Sequence, residues 1–307
     1  MPLERNEPLS RFFAPRYWPI WLGIGLIRLT SYLPYRWQTA IGTRFGHLCY
    51  HLASKRRQIA QVNLQLCFPE LTAEQRQTLL RKHFEALGML PIEMGICWWG
   101  TPQRLQKLVK IEGLEHLQQA LAQGNGVILL IAHFTTAEIG GQALGLLIPF
   151  HFMHRRNENR LIAGIMEHGR NKTAEEMIAH TDVRTMMRAL KNGHAVWYAP
   201  DQNYRLKGSI IAPFFNVPAP TNSATARIAL RSGARVVSYY THRCEDGSGY
   251  KLIIQPALEN FPSGDIELDT RQINNVIEAQ VREQAAEYLW VHKRFKPRDA
   301  GDPDHYN

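Results

Sequence analysis

No stretch of the chain reaches the roughly 20 clean apolar residues that a helix needs to cross a bilayer, which excludes a polytopic membrane protein and leaves room only for one impure N-terminal span. Cysteine is scarce and scattered. Cys49, Cys67, Cys97 and Cys244 form no CxxC pair, so neither a zinc site nor a disulfide framework is indicated. Four isolated thiols fit a reducing compartment and core positions. Acidic residues are in deficit, 27 Asp plus Glu against 36 Lys plus Arg, for a formal charge of +9. An excess of that size points to an anionic partner: nucleic acid, anionic lipid or a phosphorylated substrate. Several catalytic signatures are absent as well. There is no Gly-x-Ser-x-Gly elbow, which argues against an α/β-hydrolase, and no His-Glu-x-x-His. No Gly-x-Gly-x-x-Gly follows a strand. Gly164 to Gly169 has the gap of a P-loop, but Arg170 replaces its Lys and Gly164 falls inside an apparent helix. Basic residues are not interleaved with stacking aromatics, so no nucleic-acid module is recognisable. What is present is ordinary globular composition, 45% hydrophobic and 21% charged over 307 residues, or two domain-lengths of about 150 residues each.

The first of these, residues 1–110, reads as a helical, membrane-associating region. The apolar run from Tyr17 to Ile27 is broken by Arg28 and resumes weakly from Leu29 to Leu33, before Pro34. It lacks the small-x-small cleavage site of a signal peptide. Tyr17, Trp18, Trp21, Tyr32, Tyr35 and Trp37 cluster at its two ends, where interfacial aromatics sit. Arg5, Arg11 and Arg16 precede it; Arg36, Arg44 and Lys55-Arg-Arg57 follow it. Basic residues on both sides suit a helix lying in the interface better than one spanning it; a transmembrane helix and an ordinary soluble one stay open as alternatives. Further on, Thr72-Ala-Glu-Gln75 is a capping box that starts a helix running towards Leu90, and Pro91 and Gly100-Thr-Pro102 punctuate the segment. Ile92, Met94, Ile96, Trp98 and Trp99 form an apolar patch, read either as helical core or as a surface facing lipid.

From Ile111 the pattern changes to alternating strands and helices. Gly126 to Ala132 is a short continuous apolar run, the mark of a strand buried on both faces. Helices are predicted over 137–147, 161–171, 185–192, 221–232 and 269–289, and strands over 150–154, 195–199, 235–240 and 250–254. Residues 111–307 therefore read as an α/β domain with a mixed, largely parallel central sheet flanked by helices. In such sheets chemistry gathers beyond the carboxyl ends of the strands. Three constellations lie there: His133-Phe-Thr-Thr-Ala-Glu138, His154-Arg-Arg-Asn157 and Asp201-Gln-Asn-Tyr204.

His133 and Glu138, on one continuous helix, would point about 140° apart. They can meet only if His133 precedes the helix and Glu138 lies in its first turn, a geometry for which Thr135 and Thr136 are suitable N-caps. A carboxylate on one imidazole nitrogen fixes the tautomer and leaves the other as a base. The competing reading is that Thr135-Thr-Ala-Glu138 is itself a capping box and Glu138 serves only the helix start.

These residues carry a resemblance. His133-x4-Glu138 resembles the His-x4-Asp/Glu motif of glycerolipid-type acyltransferases. Leu66-Cys-Phe-Pro-Glu70, Trp197-Tyr-Ala-Pro-Asp201-Gln, Pro213-Phe-Phe215 and Tyr288-Leu-Trp-Val-His-Lys-Arg-Phe-Lys296 resemble the late acyltransferases of lipid A biosynthesis. Pro15-Arg-Tyr-Trp18 and Trp21-Leu-Gly-Ile-Gly25 fit as well. The resemblance runs from about residue 14 to residue 298 and is nearer the lauroyltransferase branch than the branch that adds a second late acyl chain. His-x4-Asp/Glu alone is weak; the set in this order is specific. One departure is Tyr204-Arg205, where the family has Tyr-Gly.

The resemblance implies transfer of a fatty acyl group from acyl carrier protein to a hydroxyacyl chain of Kdo-bearing lipid IVA. It implies a place on the cytoplasmic side of a Gram-negative inner membrane, and acyl-acyl carrier protein, a lipid A precursor and membrane lipids as partners. No cofactor or metal is expected. His133 then takes the proton of the acceptor hydroxyl, Glu138 orients His133, and an amide near Thr135 or a nearby Arg stabilises the oxyanion. Arg155, Arg156 and Arg170 are candidates for the substrate's phosphates, since Arg suits bidentate contact. Asp201 orders this basic cluster or its loop. Lys55-Arg-Arg57 and Lys293-Arg-Phe-Lys-Pro-Arg298 are basic runs suited to an anionic partner or simply to a solvated face. The alternatives are a lysophospholipid acyltransferase using acyl-CoA, a second late acylation, and an inactive membrane-bound scaffold, against which the intact His133 and Glu138 speak.

Overall fold

In the computed structural model, residues 9–204, 208–297, 299 and 301–306 are described; Arg5, Arg205 and Arg298 lie outside them. The chain order is α1 (Trp18–Thr30), α2 (Tyr35–Leu52), α3 (Ser54–Cys67), α4 (Ala73–Trp99), α5 (Pro102–Leu108), β1 (Val109–Glu112), α6 (Leu114–Ala122), β2 (Val127–Leu130), α7 (Ala137–Gly145), β3 (Phe150–His154), α8 (Arg160–Arg170), β4 (Glu176–Ala179), α9 (Val183–Lys191), β5 (Ala195–Tyr198), β6 (Ser209–Phe214), β7 (Val217–Asn222), α10 (Ala224–Ser232), β8 (Arg235–Arg243), β9 (Tyr250–Ala257) and α11 (Ile266–Glu283).

Seven strands form one sheet in the order β1-β9-β8-β2-β5-β3-β4. The five from β8 to β4 are parallel, while β9 runs antiparallel to β8 with β1 parallel to β9. This is the mixed, largely parallel sheet that the alternation predicted. Strand β2 is central, and all four of its side chains are buried. Ile128 and Leu130 enter a core on one face with Leu64, Leu80 and Phe84; Val127 and Leu129 enter a core on the other with Met89, Ile92 and Ile96. The long helix α4 thus contributes to both. Its capping box is in place: the Thr72 amide donates to Gln75 Oε1 at 2.8 Å and the Gln75 amide to Thr72 Oγ1 at 3.2 Å.

The helix does not stop at Pro91. Proline removes one N–H and crowds the preceding turn, but Met89, Ile92 and Ile96 are held in the core on either side of it, and burial carries the helix through. Ile92, Ile96 and Trp98 are accordingly core residues rather than a lipid-facing patch. The 221–232 helix begins later than expected, at Ala224, because Thr221 and Asn222 end β7. Strands β6 and β7 make a separate antiparallel hairpin, with Phe214 opposite Val217. Its two-residue turn holds Phe215 and Asn216 at φ of 52° and 60°, the positive pair that a primed hairpin turn requires.

Helices α2 and α4 cross where Gly42 and Gly46 meet Gly88. A Cβ on Gly88 would collide with the Gly42 carbonyl and the Gly46 backbone, atoms that cannot move without separating the helices. Gly88→Ala is therefore expected to destabilise the protein by about 1–3 kcal/mol, the usual cost of overpacking. Thermal unfolding reads this out; a melting temperature equal to the parent's would mean the two helices can part freely.

Candidate active site

Strands β2 and β5 are neighbours in parallel register, with Leu130 opposite Tyr198. Three residues beyond each strand end come His133 and Asp201, which the pairing brings together. Asp201 Oδ2 accepts from the His133 amide at 3.0 Å, and Oδ1 lies 2.6 Å from His133 Nδ1. Asp201 is 2% exposed. Burial pushes its carboxyl up, but the His133 charge and the hydrogen bonds from His133 outweigh this and hold it below the usual carboxylate range. An ionised carboxylate only accepts, so Nδ1 carries the proton and Nε2 is the basic nitrogen. Enclosure lowers the His133 pKa, and the Asp201 charge outweighs that, leaving it raised. A proton arriving at Nε2 is thus stabilised by the carboxylate behind the ring. The side chain keeps 35% of its surface exposed, so substrate can reach it.

The C-terminal segment braces this pair. The Leu289 amide donates to the His133 carbonyl at 2.9 Å, and the Thr135 amide to the Glu287 carbonyl at 2.8 Å. Phe134 and Tyr288 form an isolated antiparallel bridge, with ring centroids 5.8 Å apart. From α3, Asn63 Nδ2 donates to the Trp290 and His292 carbonyls at 2.6 and 2.8 Å. The buried Arg294 donates to the Pro220 carbonyl at 2.7 Å and to Thr221 Oγ1 at 2.8 Å. Asn63, Tyr288, Trp290, His292 and Arg294 line a crevice beside His133 and Asp201. Burial pushes His292 down to about 4, leaving it neutral, and its Nε2 accepts from the Asn203 amide at 3.1 Å.

Glu138 is not part of this arrangement. Arg170, the last residue of α8, grips its carboxylate through Nε at 3.0 and 3.2 Å and Nη2 at 2.6 Å. Burial raises the Glu138 pKa, but Arg170 outweighs it and holds the group below its ordinary value. The capping-box reading fails too: the N-cap Thr136 makes no side-chain cap bond. Its hydroxyl donates instead to the Thr241 carbonyl, and the Thr135 hydroxyl accepts from Arg243 Nη2 at 3.2 Å. The physical reason is that Glu138 projects from α7 to the carboxyl end of α8, where Arg170 stands. There a buried carboxylate and a buried guanidinium neutralise each other.

Two expected substrate contacts change accordingly. Arg170 is committed to Glu138 and also covers the Phe152 ring at 4.3 Å, so it is withdrawn from phosphate binding. Asp201 is committed to His133 rather than to a basic cluster or a substrate. Of the amides near Thr135, expected with a nearby Arg as alternative oxyanion donors, that of Thr135 is taken by the Glu287 carbonyl and that of Ala137 by the Phe134 carbonyl. Arg155 and Arg156 follow β3, on the same edge of the sheet as His133. Arg155 is exposed, 3.5 Å from Glu158, and Arg156 Nε lies 3.2 Å from Glu167. Sequence reasoning missed Asn63, and it missed Arg243, which bridges Glu93 at 2.7 Å and Glu287 at 3.4 Å. No spacing could have shown that pairing.

A reachable imidazole nitrogen held by a buried carboxylate has the geometry that a general base requires. Among the described residues no serine or cysteine is hydrogen-bonded to that imidazole. The chain belongs to the bacterial lipid A biosynthesis acyltransferase family, whose sequence model matches residues 6–297, and it is an acyltransferase of that kind. It is 37% identical over 296 residues to the lipid A biosynthesis palmitoleoyltransferase of Escherichia coli (strain K12), covering 96% of each chain. The lauroyltransferase of the same organism is 36% identical over 293 residues, 95% of this chain and 96% of its own. The myristoyltransferase is 25% identical over 303 residues, 96% of this chain and 92% of its own. A solved 1-acyl-sn-glycerophosphate acyltransferase from Thermotoga maritima overlaps 80% of this chain and 96% of its own, at 15% identity and a TM-score of 0.39. That likeness is too slight to carry any acceptor across.

Two substitutions separate the carboxylates. Asp201→Asn is expected to lower kcat by about 10²–10⁴-fold. It should also move the acid limb of the pH–kcat/KM profile to lower pH, because the base works only when neutral and Asp201 is what raises its pKa. Glu138→Gln leaves Arg170 buried without its counter-charge and is expected to cost about 3–5 kcal/mol of stability, with the acid limb where the parent has it. A parent-like melting temperature combined with a shifted acid limb would return Glu138 to His133.

Proposed function

We propose that the protein moves a fatty acyl group from the thioester of acyl carrier protein to the free hydroxyl of a hydroxyacyl chain on a Kdo-bearing lipid A precursor, on the cytoplasmic side of a Gram-negative inner membrane. The observation that carries the mechanism is the orientation of His133: Nδ1 faces Asp201 at 2.6 Å, leaving Nε2 as the base. The acceptor hydroxyl gives its proton to Nε2 as its oxygen attacks the thioester carbonyl. The tetrahedral adduct collapses, the C–S bond breaks, and the proton on His133 passes to the departing thiolate. Asp201 stabilises the imidazolium throughout, and no acyl-enzyme forms. The thioester is already activated, so the reaction calls for no cofactor. A net charge of +9 suits an acidic carrier, a phosphorylated acceptor and an anionic membrane surface alike. Arg155, exposed at the sheet edge that carries His133, is available to the acceptor's phosphates.

The test is direct. The purified full-length protein is given a tetra-acylated, Kdo-bearing lipid A precursor with either acyl-acyl carrier protein or the matching acyl-CoA, and products are weighed by mass spectrometry. One added acyl mass, faster from the carrier protein, is the expected result. Acylation of a lysophospholipid from acyl-CoA, with the lipid A precursor untouched, would overturn the proposal.

Membrane association is assigned to α1 and α2. Among the described residues no helix is long and apolar enough to cross a membrane. Trp18, Leu22, Leu26 and Leu29 nevertheless lie exposed at helical spacing along one face of α1, 55–67% open to solvent. Phe45, Leu48 and Leu52 are exposed apolar residues on α2. Such a stripe suits a helix lying in the headgroup region. Leu22→Glu with Leu26→Glu is expected to weaken binding to vesicles of anionic lipid by more than about tenfold, since each interfacial leucine contributes on the order of 1–2 kcal/mol. The melting temperature should not change. Undiminished co-sedimentation would place the contact elsewhere.

A further inference from the structure

His151, Glu175 and His194 stand at the amino-terminal ends of β3, β4 and β5, the edge of the sheet opposite His133 and Asp201. Parallel pairing of β3 with both neighbours brings these strand starts together. His194 Nδ1 is 3.1 Å from Glu175 Oε2, and His151 Nε2 is 3.6 Å from the same oxygen. One donor atom from each of the three lies within 4.8 Å of the others. The two imidazoles meet edge to face with centroids 4.8 Å apart. His151 is only 7% exposed, and neither of its ring nitrogens makes a hydrogen bond. A buried polar ring unsatisfied at both nitrogens calls for a partner.

We propose that His151 Nε2, Glu175 Oε2 and His194 Nδ1 bind a zinc ion. In a tetrahedral site with bonds of about 2.0–2.1 Å, neighbouring donor atoms lie about 3.3 Å apart; the separations from the shared Glu175 oxygen, 3.1 and 3.6 Å, straddle that value, and the two nitrogens, within 4.8 Å of each other, close up around the ion by side-chain rotation. Two imidazoles with one carboxylate suit Zn²⁺ better than the oxygen-seeking Mg²⁺ or Ca²⁺. Glu176 Oε2 lies 3.3 Å from His151 Nδ1. It is placed to take the Nδ1–H once Nε2 is on the metal, the outer carboxylate that orients many zinc-bound histidines. Glu175 and His194 keep 38% and 36% of their side-chain surface exposed, so ion and a fourth, water ligand enter from solvent. The site plays no part in acyl transfer. It clips together three strand starts, including that of β4, a four-residue edge strand paired only to β3. Cysteine spacing could not reveal it, because no cysteine takes part and the ligands come from three separate strands.

The test uses untagged, full-length, chelator-treated protein titrated with ZnCl₂ by calorimetry and followed by thermal unfolding. One tight equivalent and a raised melting temperature are expected. Both should be lost in His194→Ala and in Glu175→Gln, two partly exposed positions where the fold tolerates change. Glu176→Gln should weaken zinc binding about tenfold or more, as loss of an outer carboxylate does. His47→Ala, at a distant His–Glu pair, should bind as the parent does. Absence of tight binding by the parent protein would overturn the proposal. So would zinc binding and a melting-temperature rise that persist unchanged in both His194→Ala and Glu175→Gln.

Discussion

A carboxylate taken out of water must be answered by a cation or by convergent N–H groups, and the architecture around the site follows from how four buried carboxylates are answered. Asp201 is met by His133, its ring and its amide, which ties the end of β5 to the end of β2. Glu138 is met by Arg170, which ties α7 to α8. Glu93 and Glu287 are met together by Arg243, which ties α4 and the turn before Tyr288 to β8. Glu93 is 1% exposed, and burial pushes its pKa up to about 7 against the pull of Arg243. The first pairing leaves a basic nitrogen facing outward. The other two leave nothing reactive and hold the frame in which the first is rigid.

The Glu287 turn shows how the frame reaches His133. Its carbonyl receives the Thr135 amide, and two residues on, the Leu289 amide donates to the His133 carbonyl. The loop that carries His133 is therefore fixed from both sides by main-chain hydrogen bonds, not by its own helix start. Asn63 binds the continuation of that segment by two carbonyls, so α3 also serves the site. The proposed mechanism needs the His133 imidazole placed to a fraction of an ångström, and the tail of the chain, far from His133 in sequence, holds the loop that carries it.

Legibility in the sequence followed the range of the interactions. Strand β3 was read at its true ends, and β2, β5 and β8 nearly so, because buried parallel strands are short apolar runs bounded by glycine or polar residues. His133 was legible as a residue at the end of such a run. Its partner was not, because the only carboxylate visible at short range was Glu138. Asp201 and Arg170 were both legible as candidates, but neither with the partner it has in the fold. Parallel adjacency of β2 and β5 and the packing of both α7 and α8 on α4 decide the pairing, and neither is written in local spacing. The β6–β7 hairpin was missed for a different reason. Pro213, Pro218 and Pro220 argue against a strand unless it is an isolated ribbon with free edges. Its turn uses Phe215, a residue that reads as core; it is 3% exposed and packs against Phe68 and Trp290 at centroid distances of 5.1 and 6.2 Å.

The N-terminal aromatics raised the choice between a helix across the membrane and one along it, and geometry bears on that choice. Helix α1 has 13 residues, about 20 Å of axis against a hydrocarbon thickness of about 30 Å. Its inner face is already engaged: Trp21 and Ile24 pack on the core that α4 shares with the sheet, and a Cβ on Gly95 of α4 would meet the Ile27 carbonyl. Its carboxyl end is tied down as well, by Gln38 Nε2 on the Thr30 carbonyl at 2.7 Å and Arg104 Nη2 on the Leu33 carbonyl at 2.8 Å. To span, α1 would have to leave these partners, expose the core beneath it and place Arg28 in hydrocarbon. Lying flat requires none of this. The outward stripe of Trp18, Leu22, Leu26 and Leu29 would enter the acyl boundary while the rest of the helix stays where the fold already holds it, a placement that suits an enzyme whose proposed acceptor never leaves the bilayer.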